Sequence, residues 1–143
     1  MTGRGDPHPA FRFEVQLDGI ASGGFSECSG LDSRIEIIEY REGGMNDHVH
    51  KFVRGTRHPS LILRRGIVDR ELYDWHAEVG AGKVTPRNAV VRVFDAAAQG
   101  VVMEWRVSSA LPVRWSGPRL NALESRVAVE ELELAHDGLQ RTI

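Results

Sequence analysis

Apolar and polar residues alternate along most of this chain. Phe11, Phe13, Val15 and Leu17 are separated by Arg12, Glu14 and Gln16, the period-two pattern of a half-buried strand. Asp18-Gly19 follows and Ile20 resumes; Asp-Gly between strand-like segments is a hairpin signal. The stretch from Ile20 to Gly30 is rich in Ser and Gly and specifies a strand only weakly. From Ser33 to Tyr40 a strand is predicted, with Ile35 and Ile37 on one face and Arg34 and Glu36 on the other. Arg41 to Asn46 contains Gly43-Gly44 and predicts a turn or loop. His48 to Phe52 reads as a short polar returning arm, and Ser60 to Arg64 as a further strand.

The period then changes. Leu72, Trp75, His76 and Val79 stand at i, i+3, i+4 and i+7, one face of a helix over about residues 69–80. Asp69 is its expected N-cap, Glu71 adds negative charge to the first turn, and Gly80 and Gly82 end it. Alternation returns in Ala89 to Phe94, Val101 to Val107, Leu111 to Trp115 and Arg126 to His136. The small residues between Asp95 and Gly100 predict a hairpin of 89–94 with 101–107. In the last strand Val127 and Val129 are apolar at odd positions, then Leu132 and Leu134 at even ones. Because a one-residue slip swaps the buried face, this predicts a β-bulge near Glu130-Glu131, or a passage from one sheet to another there.

About seven to nine short strands with one helix, and no regular alternation of the two, exclude a parallel α/β sheet. The expected fold is mainly β: an antiparallel β-barrel or two-sheet sandwich whose one helix covers an end or edge. The 143 residues fit a single domain, residues 1–143, with a flexible N-terminus over 1–10.

Composition narrows the chemistry. Eighteen basic residues face 20 acidic ones, with no run of Lys or Arg longer than two, so the clustered basic footprint of a nucleic-acid binder is missing. No apolar run exceeds three residues, which excludes a helical membrane span. The first ten residues, with Arg4, Asp6, Pro7 and Pro9, do not read as a secretory leader. Arg4-Gly5-Asp6 spells an adhesion tripeptide, a match too short to weigh. Cys28 is the single cysteine and reads as a small buried hydrophobe, not as a nucleophile. His48 and His50 would share one strand face, yet no further Cys, His, Asp or Glu completes a four-ligand metal set. His76, on the helix's apolar face, reads as a packed, hydrogen-bonded histidine. Asp69, Glu71 and Asp74 complement a helix dipole. No nucleophile elbow, P-loop or dinucleotide fingerprint occurs. No catalytic residue, cofactor or metal is predicted, and the chain is not expected to be an enzyme.

Three stretches carry a resemblance. Gly24 to Leu31, GFSECSGL, runs into Ile35 to Gly44, IEIIEYREGG. Leu111-Pro112-Val113-Arg114-Trp115 precedes Gly117-Pro118 and Leu120-Asn121-Ala122. Val127 to Leu139 reads VAVEELELAHDGL. In this order, over about residues 10 to 140, they resemble the tail tube proteins of contractile phages and the inner tube proteins of extracellular contractile injection systems. Leu111 departs from the pattern, where relatives are often aromatic. The resemblance implies the tail-tube fold, shared with the haemolysin-coregulated protein of type VI secretion. It also implies hexameric rings of identical subunits stacked into a hollow tube, which a contracting sheath drives into a target envelope. The implied partners are other copies of the chain, a sheath protein, baseplate and tube-terminating proteins, and a protein or DNA cargo in the lumen. Assembly in the cytoplasm, as part of a phage tail or a released phage-tail-like particle, is implied with them.

The segment from Tyr40 to Thr56 is the expected contact between rings, because it is long, polar and charged and a self-contained barrel needs no such arm. Its candidate contact residues are Tyr40, Arg41, Glu42, Gly43, Gly44, Asp47, His48, His50, Lys51 and Arg54. Sheet edges of adjacent subunits are expected to pair within a ring. The pairs Arg12 with Glu14, Arg34 with Glu36 and Glu104 with Arg106 put mixed charge on the faces away from the core. Trp75, Trp105 and Trp115 are expected as core or interface anchors. Two other readings stay open: a type VI-like tube or baseplate-proximal initiator, and a small-ligand-binding β-barrel, which would need an apolar pocket with convergent polar groups.

Overall fold

A computed structural model describes residues 11–20, 24–41, 49–95, 97, 100–124 and 127–143. The residues 1–10 expected to be flexible lie outside them, as does the predicted turn Arg41 to Asn46 apart from Arg41, which is in a strand. Nine strands and one helix follow in chain order: β1 (Phe11–Leu17), β2 (Glu27–Ser29), β3 (Arg34–Arg41), β4 (Val49–Arg57), β5 (Leu61–Gly66), α1 (Glu71–Gly80), β6 (Arg87–Asp95), β7 (Val101–Ser116), β8 (Val129–Ala135) and β9 (Gly138–Arg141).

All the strand pairings are antiparallel. The main sheet runs β1-β6-β7-β8-β5-β2, with β9 also on β7, and β3-β4 form a separate two-stranded ribbon. Strand β7 belongs to two sheet halves. Its first half pairs with β6 and β9, and its second half with β8. The change falls at Ser109, whose φ is 52° and whose N–H donates to Asn88 Oδ1 at 3.0 Å. The segments predicted at 101–107 and 111–115 are therefore one bent strand of 16 residues.

The core lies between the sheet halves and under the helix. Leu61 faces Leu134 and Leu63 faces Leu132 across β5 and β8, and none of the four is more than 1% exposed. Val15 and Leu17 of β1, Ala89 and Val91 of β6 and Val107 of β7 complete it, as the period-two pattern requires. Leu72 and Trp75 bury the helix face against this core, while His76 stays half-buried. Trp75 Nε1 donates to the Thr85 carbonyl at 3.0 Å. The helix starts one residue later than a cap at Asp69 implies: Arg70 holds the cap position, and Asp69 Oδ1 accepts from the Glu71 N–H at 3.0 Å. Its C-terminus closes as predicted around Gly82. With φ at 102°, Gly82 donates to the Val79 carbonyl and Lys83 to that of Glu78, the paired bonds of a Schellman motif that a left-handed residue permits.

Three expectations change. Asp18-Gly19 does turn the chain, with Leu17 and Ile20 bridged. However, β1 pairs along its whole length with the distant β6, Leu17 opposite Ala89, because the Ser/Gly-rich segment after the turn has no apolar alternation to cover it. There is no bulge at Glu130-Glu131. Pairing of β5 with β8 is continuous through Arg65–Glu130 and Arg64–Glu131, and the even positions Glu130, Leu132 and Leu134 all face inward. The sequence looks slipped because a carboxylate occupies one inward position. The register break is instead on β7, between Pro112 and Arg114, and the passage between sheet halves comes at His136-Asp137, after which β9 continues along β7. Finally, Glu104 is not on an open face. It is 8% exposed and bonded to Arg92 and Thr142.

Candidate assembly site

The candidate contact residues that are described, Tyr40, Arg41, His50, Lys51 and Arg54, all lie on the β3–β4 ribbon. Glu42, Gly43, Gly44, Asp47 and His48 lie outside the described residues. Ribbon register pairs Tyr40 with His50, Arg41 with Val49, Glu39 with Lys51 and Ile38 with Phe52. Opposite residues share a face. Tyr40, His50 and Phe52 accordingly line up on one face, with successive ring centroids 6.4 Å apart. The break in register sets Glu36 opposite Gly55 and Ile37 opposite Val53, so Arg54 is the extra residue of a β-bulge. Arg57 pairs with Glu36 at 2.8 Å on the same face as the aromatic row.

Strand β4 is longer than the predicted arm, and the ribbon is apolar as well as charged. Ile38, Tyr40 and Phe52 are 47%, 53% and 56% exposed on one face, and Ile35, Ile37 and Val53 are 59%, 53% and 73% exposed on the other. No other described element packs substantially against either strand. A ribbon of two strands needs a packed face for stability, and here both faces are dressed for packing and neither is covered by another described element. Sequence alternation named Ile35 and Ile37 as one apolar face. It could not show that this face meets no other described element of the chain.

Other features of the body are ordinary structural chemistry. Arg65, 1% exposed, pairs with Glu130, 2% exposed, at 3.1 Å, and Trp115 Nε1 donates to the other Glu130 oxygen at 2.8 Å. Asp69 holds the remaining side of the Arg65 guanidinium at 3.1 Å, and Phe25 lies beneath it. Burial pushes the Cys28 thiol up to about 11, which keeps it protonated and a poor nucleophile. Among the described residues no group of three or more His, Cys, Asp or Glu is placed to hold a metal ion. A cavity of about 460 Å³ at the ribbon's root is lined by Asp32, Ser33, Arg34, Arg57, His58 and Pro59.

A family model described as T4-like virus tail tube protein gp19 matches residues 9–140. The chain belongs to the T4-like virus tail tube protein family. Solved structures agree with this. A chain from the sheath-tube complex of an extracellular contractile injection system, PVC, in its extended state, superposes with a TM-score of 0.82 at 29% identity, over 95% of this chain and 91% of that one. A chain from the baseplate of the anti-feeding prophage gives 0.78 at 27% identity, over 99% and 97%. Hcp1 from Flavobacterium johnsoniae gives 0.58 at 10% identity, over 92% and 94%, a likeness of fold alone. Among curated proteins none matches. The chain is a structural tube subunit of the contractile injection kind, and the tail-tube fold expected from the sequence is the one observed.

Proposed function

We propose that this tail tube protein works without catalysis, as one of six identical subunits of a ring, and that its β3–β4 ribbon joins each ring to the next. The observation that carries this reading is the ribbon with apolar side chains on both faces and no cover from the other described elements. Exposing six large apolar residues on so small an element is unfavourable for a free subunit. Burying them between copies turns that cost into association energy of roughly 25 cal/mol for each Å² removed from water. Arg41, Lys51 and Arg54 at the ribbon's margin would add register and specificity, the usual role of polar groups around an apolar contact. Glu42, Gly43, Gly44, Asp47 and His48, outside the described residues, belong to the same proposed contact.

Within a ring, the outer edge of β1 and the edge of β2 are the two ends of the strand order. Different edges meeting head to tail is the geometry that closes a ring. Charged residues at Arg12 and Glu14 protect β1 from indiscriminate pairing. Sheath, baseplate and tube-terminating proteins are the further partners, with a protein or DNA cargo in the lumen, assembly in the cytoplasm, and a place in a phage tail or a released particle.

Similarity to a baseplate chain favours a second reading, a short tube initiator near the baseplate. Electron microscopy of the purified protein distinguishes the two: long tubes support the main reading and rings that do not elongate support the second. In the Ile38→Glu, Phe52→Glu double variant, rings are expected to form and tubes to be lost, with the free subunit's stability changed by no more than about 0.5 kcal/mol, as for exposed positions. Tubes of normal length from this variant would exclude the ribbon as the stacking element.

A further inference from the structure

The chain enters the ribbon through residues 30–33 and leaves it through His58-Pro59-Ser60, and the two passages lie side by side. Gly30, at φ 95°, is packed so closely against Ser60 that a Cβ there would collide with the Ser60 carbonyl. The exit passage is tied to the body by one residue from the far end of the sequence. His136, in the turn between β8 and β9, bonds through Nε2 to the Pro59 carbonyl at 3.2 Å. A carbonyl only accepts, so Nε2 carries the proton in this bond. The His136 ring also lies 5.4 Å from that of His58, centroid to centroid. Nδ1 of each ring is buried without a hydrogen-bond partner. A ring that donates through Nε2 and leaves a buried Nδ1 without a partner fits the neutral form, and this is the arrangement of His136.

We propose that His58 and His136 form an acid-operated latch: in contact, they hold the exit of the β3–β4 ribbon against the body, and protonation of His136 drives the pair apart and releases the ribbon's root. The surrounding charges allow this. On the ribbon side Arg34 and Arg57 line the cavity next to His58, with Asp32 beside them and Glu36 paired to Arg57 at 2.8 Å. On the body side Asp137 follows His136. The His136 ring is held below its ordinary value of 6.5, first by burial and then by His58; the backbone of Pro59 and of Gly138 and the Asp137 charge oppose this with smaller effect. The Gly138 backbone favours the charged ring without making a well-aligned bond to Nδ1. A histidine whose folded-state proton affinity is lowered contributes stability that is fully present above the ordinary value and is lost as pH falls below it. Release therefore belongs to mildly acidic conditions, the range in which histidine switches act. That release should also loosen ring stacking rests on the ribbon's proposed role as the inter-ring contact.

Hydrogen exchange of the full chain at pH 7.5 and pH 5.0, corrected for the intrinsic rate, tests the latch. Protection of amides in residues 49–57 and at Ser60 is expected to fall by on the order of tenfold at the lower pH, the scale of a local opening biased by protonation. His136→Gln keeps a donor for Pro59 but does not titrate, and is expected to hold its protection at both values. Should that variant not fold, the wild-type imidazole resonances serve instead: His136 or His58 must titrate together with the ribbon amides. Wild-type protection that is unchanged between the two pH values, or ribbon amides that move without either histidine, overturns the latch. Tube length at the same two pH values separates the two proposals. Lost protection with tubes intact removes the ribbon from stacking and leaves the latch standing.

Discussion

The most consequential residue in the body is Glu130, a carboxylate at 2% exposure in the midst of Leu132, Leu134, Leu61 and Leu63. Taking two charges out of water is repaid only when geometry and further hydrogen bonds satisfy both. Here Arg65 stands directly opposite, the Trp115 indole takes the second oxygen, and Asp69 takes the remainder of the guanidinium. The network links β5, β7, β8 and the entry to α1. Glu130→Gln is expected to lower stability by about 3 kcal/mol in urea denaturation, the low end for breaking a buried pair, since Asp69 still neutralises Arg65. No change in midpoint would mean that the pair is not maintained in solution. From the sequence Glu130 reads as half of an acidic doublet at a register slip. Arg65 lies 65 positions away, and no local pattern connects them.

At the level of elements, β7 decides the architecture. It is legible as two strands because Ser108-Ser109 interrupts the apolar alternation, but its hydrogen bonding passes through that interruption and only the direction changes. The cost is a non-glycine residue at positive φ, of order 1 kcal/mol. A small polar side chain tolerates this better than a branched one. Ser109→Val should accordingly destabilise by about 1–2 kcal/mol and Ser109→Gly by less than about 0.5 kcal/mol, a difference readable in thermal melts; equal losses would show that the bend is not held at this backbone angle. The ribbon is the reverse case. Its strands follow from Ile35, Ile37 and the glycines near the turn, but its separation from the main sheet does not, since an apolar strand reads alike whether its own chain or another copy covers it.

For the whole molecule, Glu104 is where three distant segments meet. It accepts from Arg92 Nε of β6 at 2.9 Å and from the Thr142 hydroxyl at 2.6 Å, while sitting on β7. The bonds from Thr142 and Arg92, helped by the charges of Arg106 and Arg92 and opposed by burial, hold its carboxyl below the ordinary 4.5. A carboxylate with lowered proton affinity in the fold gives stability that is present above the ordinary value and lost as pH falls through the lowered one. The wild type should therefore lose stability below about pH 4.5 more steeply than Glu104→Gln, measured as melting temperature against pH. Parallel curves would remove Glu104 from the acid response. This limb sets in at the ordinary carboxylate value of 4.5 and that of His136 at 6.5, so the two are told apart by their onset on one sample.

What the sequence determined by itself is local: the period-two strands, the single 3.6-period helix with Gly82 at its end, the β6–β7 hairpin, and a set of ordered motifs sufficient to mark a tail tube protein. These are legible because backbone geometry imposes its period on whatever side chains it carries. Only the tertiary structure decided that β1 pairs with β6, that Glu130 is inside, that β7 serves two sheet halves, that His58 meets His136, and that the ribbon's apolar faces are left open. Each of these is a contact between segments far apart in the chain, set by which surfaces must leave water together, and no window of neighbouring residues contains that information.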